Sequence, residues 1–404
     1  MKTSKRQVRQ LNRCEFLGGV AALAVGGCRG LCGDDGRDYS VSVLGDLHYD
    51  TSPDTVYHGR FNELFRGRGI HLTWFREFVR NAKMWAPDGP SRRILAASAH
   101  CVTPDTAMVL QTGDLIQGDC NDFALHRRML SDVVGQLKTA YPADLPVVFT
   151  AGNHDVREGG KGHDRAAAEP FAAFSNDHHR RELGARACSS VDRTTFAFRQ
   201  GSDLYVVMDF NFAKEQALRV REILDGNRDV RYTFLVTHGG VFPYDSWPCR
   251  WFYLGGERAY GKDGFLVFDP EADAVRREMR AVFARRNAIV LCGHTHHLEL
   301  KEAQFPEGTI TEMTMNSVTG QAAGPDFPGE PEVVREGVSR YGDADWVKAK
   351  PSNVALFDEY RPYMTRYWFA NAVGHAKLRV SDAGVWFDFY GRDAFEPTKT
   401  FRLR

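Results

Sequence analysis

Short apolar runs alternate with stretches of helical periodicity along the N-terminal part of the chain. Residues 40–44, 107–112 and 147–149 form the apolar runs, and residues 71–85 and 123–137 carry apolar side chains every three or four positions. The short runs predict buried strands, and the 3.6-residue periodicity predicts amphipathic helices. Strands that alternate with helices indicate parallel strands and crossover helices, so we expect an α/β fold.

The second part of the chain continues this alternation and adds hairpins. Buried strands are predicted at 232–236 and 288–291, further strands within 298–318, helices at 212–224 and 272–286, and hairpins within 194–209 and 377–390. Polar, Gly-rich or Pro-rich stretches predict an excursion with short helices at 156–193 and long loops at 239–266 and 320–350. Because no linker-like stretch follows residue 38, residues 39–404 are predicted to form one domain.

Five of the predicted strands end in glycine or threonine followed by a polar residue that can bind a metal. These residues are Asp46 with His48, Asp114, Asn153 with His154 and Asp155, His238, and His294 with His296. In an open α/β sheet, ligands bind outside the carboxyl ends of the strands, so these side chains are expected to converge on one crevice. One such end alone could equally be an ordinary polar turn, so the prediction depends on all five.

The mixture of imidazole, carboxylate and amide groups suits divalent transition metals. Seven donors exceed the needs of one ion, and they are Asp46, His48, Asp114, Asn153, His238, His294 and His296. A carboxylate can bridge two ions, which together clamp the attacking and leaving oxygens in phosphoryl transfer. His154 is then free to act as an acid, and the neighbouring Asp155 is predicted to orient it and keep it protonated.

The five blocks follow the order DxH, GD, GNH[DE], H and GHxH, which resembles the pattern of the calcineurin-like metallophosphoesterase superfamily. Here they read Asp46-Leu47-His48, Gly113-Asp114, Gly152-Asn153-His154-Asp155, His238 and Gly293-His294-Thr295-His296. The resemblance implies an α/β/β/α sandwich of the metallo-dependent phosphatase type, in which two sheets lie face to face and helices cover them, from Tyr39 onward.

The resemblance also implies a role for each residue. Asp46, His48 and His296 would hold the first metal, Asn153, His238 and His294 would hold the second, and Asp114 would bridge both. A metal-bound hydroxide would attack the phosphoester, and His154 would protonate the leaving alkoxide or stabilise its charge.

One departure narrows the choice of metals. In purple acid phosphatases a tyrosine that binds ferric iron stands three residues after the GD aspartate, and here that position is Gln117. An iron–tyrosinate chromophore is therefore not expected, and the two ions could be Mn²⁺, Fe²⁺/Fe³⁺ or Zn²⁺. The large C-terminal domain of exported 5′-nucleotidases is not expected either, because much of the sequence after His296 has the pattern of strands of the same fold.

The first 27 residues have a different character. A basic segment, the apolar residues 16–25 and small residues before Cys28 predict an export signal that is too short to span a membrane comfortably. The segment resembles a bacterial lipoprotein signal, with Val25 in the place of the usual leucine, which implies a lipidated Cys28. Residues 12–17 also resemble a twin-arginine signal, with Cys14 where the second arginine belongs. We therefore predict a signal peptide at 1–27, a linker at 28–38, and a periplasmic or membrane-anchored protein.

The charge balance of the chain mainly serves to exclude classes of partner. The 52 basic and 52 acidic residues give a formal net charge of zero, and no basic stripe is present, so no nucleic-acid partner is expected. Cys292 lies within an apolar run and is predicted to be a buried free thiol. The sequence 178–181, with two histidines and two arginines, is predicted to lie on a solvated helix face.

The expected substrate is a small phosphoester, and the ligand set encodes neither a monoester nor a diester. A cyclic-nucleotide or phospholipid-headgroup diesterase is the alternative within the enzyme class. A metal-binding scaffold without turnover is the alternative from another class, although such scaffolds usually lose ligands or the acid histidine, and this sequence retains both. The aromatic residues within 242–253, which follow His238, could contact the substrate or pack their loop onto the domain. The oligomeric state is not encoded.

Overall fold

Two β-sheets lie face to face in the computed structural model of the chain. The structure describes residues 38–50, 84–118, 123–156, 168–189, 194–209, 214–243, 259–260, 266–267, 270–317, 332–349 and 351–404. Residues from Gly36 to Arg404 form one compact unit. In the described ranges, no helix is both long enough and apolar enough to cross a membrane.

The first sheet contains the three strands predicted from the N-terminal part of the chain. Its order is β16 (Lys399–Arg402), β15 (Gly384–Gly391), β14 (Gly374–Ser381), β1 (Tyr39–Leu44), β2 (Thr106–Gln111) and β3 (Val147–Phe149). Strands β1, β2 and β3 are parallel neighbours, whereas β14 runs antiparallel to β1. The carboxyl ends of β1, β2 and β3 therefore lie at one edge of the sheet.

The second sheet combines a parallel centre with antiparallel margins. Its order is β12 (Glu332–Glu336), β13 (Met364–Asn371), β10 (Leu298–Phe305), β11 (Gly308–Thr314), β9 (Ile289–Cys292), β6 (Thr233–Val236), β5 (Asp203–Val207) and β4 (Phe196–Gln200). Strand β9 pairs in parallel with both β6 and β11. A separate short pair consists of β7 (Ala259–Tyr260) and β8 (Leu266–Val267).

Helices cover the outer faces of both sheets. The helices are α1 (Pro90–His100), α2 (Phe123–Ala140), α3 (Ala168–Leu183), α4 (Lys214–Gly226), α5 (Pro270–Arg285), α6 (Asp345–Lys348) and α7 (Pro351–Tyr360). Apolar residues of α1, α2 and α3 pack on the first sheet, and those of α4, α5 and α7 pack on the second. A third cluster, which includes Val43, Leu110 and Phe234, fills the space between the sheets. These layers confirm the predicted α/β/β/α sandwich.

The strands predicted from short apolar runs are confirmed, as are the hairpins β4–β5 and β14–β15 and helices α2, α4 and α5. Residues 156–193 were expected to hold only short helices, but α3 is 16 residues long. Within the predicted loop 320–350, strand β12 and helix α6 are present, and the pattern did not predict α1, α7, β13 or β16. The helix predicted at 71–85 lies almost wholly outside the described residues, as does the predicted signal peptide.

The prediction that residues 178–181 lie on a solvated face is wrong for the two histidines. His178 and His179 are buried, whereas Arg180 and Arg181 are exposed. The Nε2–H of His178 donates to the carbonyl oxygen of Val147 at 2.7 Å, and Nε2 of His179 accepts from the backbone N–H of Phe149 at 3.2 Å. Since β3 is at the edge of its sheet, these imidazoles satisfy strand groups that would otherwise be unpaired.

Candidate metal centre

The polar ends of five strands meet at one edge of the sandwich. Strands β1, β2 and β3 are neighbours in the first sheet, and β6 and β9 are neighbours in the second. Backbone hydrogen bonds fix the loops beyond these strands, since Thr112 N–H donates to Leu44 O and Gly293 N–H donates to His238 O, both at 3.0 Å. The predicted convergence of the strand ends is therefore present in the structure.

The backbone at this edge adopts conformations that L-residues seldom take. Six non-glycine residues in the described ranges have positive φ, and four of them are His48 (42°), Asp114 (55°), His294 (75°) and His296 (56°). Such conformations cost about 1–3 kcal/mol each and persist where the surrounding structure enforces them. The concentration of this strain in predicted ligands indicates that the fold holds these side chains for a function.

Two glycines allow the close approach of the ligands. Gly113 has a φ of 93°, and a Cβ atom there would lie 2.7 Å from Nδ1 of His238. A Cβ atom on Gly152 would lie 2.2 Å from Oδ1 of Asp114. Side chains at either position would displace a ligand, which explains why glycine precedes the polar residues at these strand ends.

The first ligand group contains Asp46, His48, Asp114 and His296. One ligand atom from each lies within 4.8 Å of the others, and all four residues are buried. Nε2 of His48 is 3.0 Å from Nε2 of His296 and 3.5 Å from Oδ2 of Asp114. Nε2 of His296 is 3.8 Å from Oδ1 of Asp46. This group agrees with the set predicted for the first metal together with the bridging aspartate.

The second group contains Asp114, His238 and His294, which are also buried. Nε2 of His238 lies 3.1 Å from three other potential ligand atoms: Oδ2 of Asp114, Nδ1 of His294 and Oδ1 of Asn153. Asn153 therefore reaches the same point as the two histidines. Asp114 belongs to both groups, which is the position expected of a bridging carboxylate.

The donor set fits divalent metal ions. Ligands about 2.1 Å from a shared ion stand roughly 3.0–3.4 Å apart, the spacing seen between most of these atoms. The Nδ1–H of His238 donates to Thr112 O at 2.9 Å, and that of His48 donates to Oε1 of Gln117 at 3.0 Å. Both bonds engage Nδ1 and turn Nε2 towards the other ligands, so Nε2 could bind a metal ion when the ring is neutral, as in metal-binding histidines.

Electrostatics also favour a cation at this point. Burial and the nearby charge of Asp114 raise the pKa of Asp46 to about 7, despite the attraction of His238. Burial acts in the same direction on Asp114, but the attraction of His238 and His154 outweighs it and holds the pKa of Asp114 well below its usual range. The pKa of His238 is raised to about 9 because Asp114 outweighs the effect of burial. A bound dication would take over the charge compensation that His238 provides here.

His154 lies beside the two ligand groups. Its Nδ1–H donates to the carbonyl oxygen of Gln117 at 2.6 Å, and its backbone N–H donates to Oδ1 of Asp114 at 2.8 Å. Its ring packs edge-on against His48 with centroids 4.3 Å apart, and the residue is only half-buried. Because Nδ1 is engaged, Nε2 is the atom that could transfer a proton to a substrate.

Gln117 is the functional residue that the sequence did not reveal. Its amide oxygen orients His48, and its carbonyl oxygen orients His154. Sequence comparison with purple acid phosphatases singled out this position only because it lacks tyrosine. Gln117 stands three residues after Asp114, and this spacing could have indicated that its side chain reaches the ligand groups.

The role predicted for Asp155 is corrected by the structure. Its carboxylate is fully buried and accepts hydrogen bonds from the backbone N–H groups of Gly152, at 2.8 Å, and Ile116, at 3.1 Å. Asp155 therefore ties the turn after β3 to the loop after β2, while the Gln117 carbonyl orients His154. The adjacency of residues 154 and 155 suggested a direct contact, but neighbours in a turn can point in different directions.

Asp155→Ala should therefore weaken the fold of the site rather than its acid chemistry. Loss of two hydrogen bonds between buried groups should lower the free energy of unfolding by about 2–4 kcal/mol, as measured by urea denaturation. Asp144→Ala, at an exposed position, should have little effect. A larger rate loss for esters with poor leaving groups than for those with good ones would contradict this structural role.

A buried charged cluster anchors the loop that follows His238. The Glu312 carboxylate accepts from the backbone N–H groups of Val241 and Phe242, and from Nζ of Lys301 at 3.0 Å. Lys301 also pairs with Glu299 at 2.8 Å, and all three charged residues are fully buried. Glu312 lies on β11, next to β9, so it couples the second sheet to a loop beside the centre.

Glu312→Ala should destabilise this loop and the second ligand group. Two buried N–H groups would lose their acceptor, and Lys301 would lose one of its carboxylate partners, so we expect a loss of about 3 kcal/mol in unfolding free energy. Affinity for the more weakly held metal should fall about tenfold, because His238 begins the loop. Glu312→Gln, which keeps an acceptor, should be milder, and Glu307→Ala in the exposed β10–β11 turn is the control. Unchanged metal affinity in Glu312→Ala would refute the coupling.

Other predictions near the centre have mixed outcomes. His297 is half-buried and packs against the Phe369 ring, and burial lowers its pKa to about 3. Neither ligand group contains His297, which agrees with its omission from the predicted ligand set. Cys292 is a buried free cysteine, as predicted. The aromatic loop after His238 is described only to Pro243 and at two short strands, so most of it lies outside the described residues.

Comparisons with known proteins found one matching family model and several similar solved structures. The family model described as calcineurin-like phosphoesterase matches residues 39–298, more than half of the chain. Similar solved structures include PhoD, with 12% identity, 91% of this chain and 68% of that chain covered, and a TM-score of 0.47. A dimetal phosphatase from Danio rerio is 11% identical, with 91% and 99% of the two chains covered and a TM-score of 0.47. GAP50, the anchor in the inner membrane complex of Plasmodium, is 9% identical, with 91% and 89% covered and a TM-score of 0.41. No curated protein matches the sequence.

Proposed function

The chain belongs to the calcineurin-like phosphoesterase family, and on this basis we propose that it is a dinuclear metal-dependent enzyme that hydrolyses a phosphomonoester or phosphodiester. The observation that carries the proposal is the convergence of two buried ligand groups that share Asp114. A single structural ion would not need both groups, and a site built only for stability would not need four strained residues at the ends of strands.

The two groups divide the ligands between two ions. Asp46, His48 and His296 would hold one ion, Asn153, His238 and His294 would hold the other, and Asp114 would contact both. Two divalent ions would supply positive charge that activates water and stabilises the oxygens of the reacting phosphoryl group. Mn²⁺, Fe²⁺/Fe³⁺ and Zn²⁺ all accept this mixture of nitrogen and oxygen ligands, so the donor set leaves the metal open.

His154 would donate a proton to the leaving oxygen through Nε2. Its Nδ1–H bond to Gln117 O fixes the ring, and its partial exposure gives Nε2 access to a substrate. The backbone bond to Asp114 ties its position to the bridging ligand. The acid is thus positioned by the same loop that carries the ligands, which suits general acid catalysis.

Two alternatives differ in substrate or in class. A cyclic-nucleotide or phospholipid-headgroup diesterase would use the same centre and differ in the surface around it. A scaffold without turnover is disfavoured because such scaffolds usually lose ligands or the acid histidine, and this chain retains all of them.

Export and lipid attachment form a separate part of the proposal. The basic, apolar and small-residue segments before Cys28 support a signal peptide that delivers the enzyme to the periplasm or to a membrane anchor. This proposal can be tested by mass analysis of the N-terminal segment with and without an inhibitor of lipoprotein signal processing. If Cys28 carries no lipid and the inhibitor changes nothing, the proposed lipid attachment is wrong.

A substrate and metal panel tests the enzymatic proposal. The full chain is stripped of metal, reloaded with Mn²⁺, Zn²⁺ or Fe²⁺, and assayed against phosphomonoesters, linear diesters, cyclic nucleotides and phospholipid headgroup esters. We expect metal-dependent hydrolysis with two ions bound per chain. Two bound ions without hydrolysis of any ester would favour the scaffold, and a single bound ion would contradict the dinuclear centre.

A further inference from the structure

A groove of about 780 Å³ lies at the end of the second sheet opposite the metal centre. Its lining includes Thr233, the first residue of β6, and residues 285–287, which lead into β9. The metal ligands instead follow the last residues of these two strands. The groove and the centre are therefore at opposite strand ends, and a ligand in the groove would not touch the metals.

The groove has a strongly basic lining. Seven of its lining residues are arginines, and Glu302 carries the one acidic side chain among the described residues that line it. These arginines come from α5, β13, β16 and the turn before β6, so they are close in space but distant in sequence. The neutral net charge of the whole chain conceals this local excess.

Some of these arginines are neutralised by neighbours. Arg231 pairs with Asp203 at 2.6 Å and with Asp382 at 2.7 Å. Arg366 pairs with Glu302 at 3.2 Å. These ion pairs build the walls of the groove and leave little charge for a ligand.

Two further arginines, Arg286 and Arg404, are only partly neutralised by their neighbours. Nη2 of Arg286 donates to Leu224 O at 3.0 Å, and Nη2 of Arg404 donates to Asn287 O at 2.9 Å and Thr309 O at 3.2 Å. Carbonyl oxygens satisfy hydrogen bonds but carry no net charge to offset a guanidinium. Nη1 of Arg404 also lies 3.8 Å from Oε2 of Glu302, but Arg366 pairs with the same oxygen, so one carboxylate serves two guanidinium groups. Burial lowers the pKa of both Arg286 and Arg404, although both remain protonated at neutral pH.

Two exposed arginines complete the basic surface. Arg285 has no hydrogen-bond or ion-pair partner within the described part of the chain, and Arg402 donates through Nε to the main-chain oxygen of Arg404 at 2.9 Å. Guanidinium groups with free N–H donors match the oxygens of phosphate, to which they can bind in a bidentate manner. Positive charges gathered in a concave, partly desolvated site also strengthen the field that an anion experiences.

We propose that this groove binds phosphate groups, carried either by a soluble polyphosphorylated molecule or by the headgroups of anionic lipids. The ligand bridges Arg285 and Arg402 at the mouth and is attracted by Arg286 and by the partly compensated charge of Arg404 behind them. The site is separate from the metal centre and takes no part in the hydrolytic step.

A first experiment uses tripolyphosphate and titration calorimetry. The full chain carries Asp114→Asn, so that the metal centre contributes no phosphate binding, and is compared with the same chain that also carries Arg285→Glu and Arg402→Glu. We expect the double reversal to raise the Kd at least about tenfold, and added salt to weaken binding of the parent chain. Arg127→Glu with Arg128→Glu, two exposed residues on α2, is the charge-matched control and should leave the Kd unchanged.

A second experiment identifies the source of the phosphate. The full chain with Cys28→Ser, which cannot be lipidated, is floated with phosphatidylglycerol vesicles or with phosphatidylcholine vesicles. Binding to phosphatidylglycerol alone, lost in the Arg285→Glu/Arg402→Glu variant, supports lipid headgroups. Tripolyphosphate binding without vesicle binding supports a soluble ligand. If neither probe binds, or if the groove variant binds both as well as the control does, the proposal is wrong.

Discussion

Replacing Asp114 with asparagine should abolish hydrolysis and leave the chain with fewer than two bound metal ions. Asp114 is the one residue that belongs to both ligand groups, with Oδ2 3.1 Å from Nε2 of His238 and 3.5 Å from Nε2 of His48. Asparagine keeps the shape but removes the negative charge, so the amide cannot bridge two cations as a carboxylate does. We expect kcat/KM to fall by about three orders of magnitude or more, and elemental analysis should show the loss of metal.

The structure also predicts that this substitution is tolerated by the fold. Oδ1 of Asp114 accepts the backbone N–H of His154, and an asparagine oxygen can do the same. Loss of the Asp114 charge relieves its repulsion of the buried Asp46 but also removes its attraction to His238 and His154, so we expect the metal-free variant to fold with a modest loss of stability relative to the metal-free parent. Asp144→Asn, at an exposed position, is the control. Full activity with two ions bound to the Asp114 variant would exclude the dinuclear proposal.

The ligand positions could be predicted because they depend on local sequence. An apolar run followed by glycine and a polar residue predicts a buried strand with a polar side chain at its carboxyl end. Parallel strands place such ends at one edge of the sheet. Five ends in a fixed order were therefore enough to predict the set around Asp114. The positive φ angles of His48 and His294 could not be predicted, since the sequence does not show which type of turn follows each strand.

The supporting residues depend on tertiary contacts and were not predicted. Glu312 is far from Val241 in the sequence, and only the neighbouring positions of β9 and β11 bring its carboxylate to that loop. Helix α3 was underestimated because His178 and His179 occupy its buried face, where the apolar pattern would require aliphatic residues. Asp155 was assigned to His154 by adjacency, while its oxygens turn towards the backbone of Gly152 and Ile116. The sequence therefore predicts which ligand follows each strand but not which residues hold that ligand in place.

The metal centre and the arginine groove differ in how they manage charge. At the centre, two buried carboxylates converge, and a cation relieves their repulsion. In the groove, seven arginines converge and Arg366 and Arg404 share the Glu302 carboxylate, so an anion would relieve the repulsion among the guanidinium groups. The two sites lie at opposite ends of the same parallel strands. Substitutions in one should leave the other intact, since residues without shared partners act nearly additively.

His154→Ala should reduce the rate by an amount that depends on the leaving group. For an alkyl phosphoester, whose alkoxide needs a proton, we expect a loss of about 10²–10⁴-fold in kcat, the usual contribution of a general acid. For a p-nitrophenyl ester, whose phenolate leaves without protonation, the loss should be much smaller. The measurement is kcat across a series of esters of rising leaving-group pKa, with the metal content checked for each variant.

The geometry separates this acid role from a purely structural one. The ring of His154 contacts His48 and the Gln117 carbonyl, so its removal could also disturb a ligand and slow all esters alike. His154→Gln fills most of the space of the ring but cannot act as an acid near neutral pH. If His154→Gln restores metal content while the steeper dependence on leaving group persists, the imidazole supplies the proton. An equal loss for every ester in both variants would instead assign His154 to positioning of His48, and the proton would have to come from elsewhere.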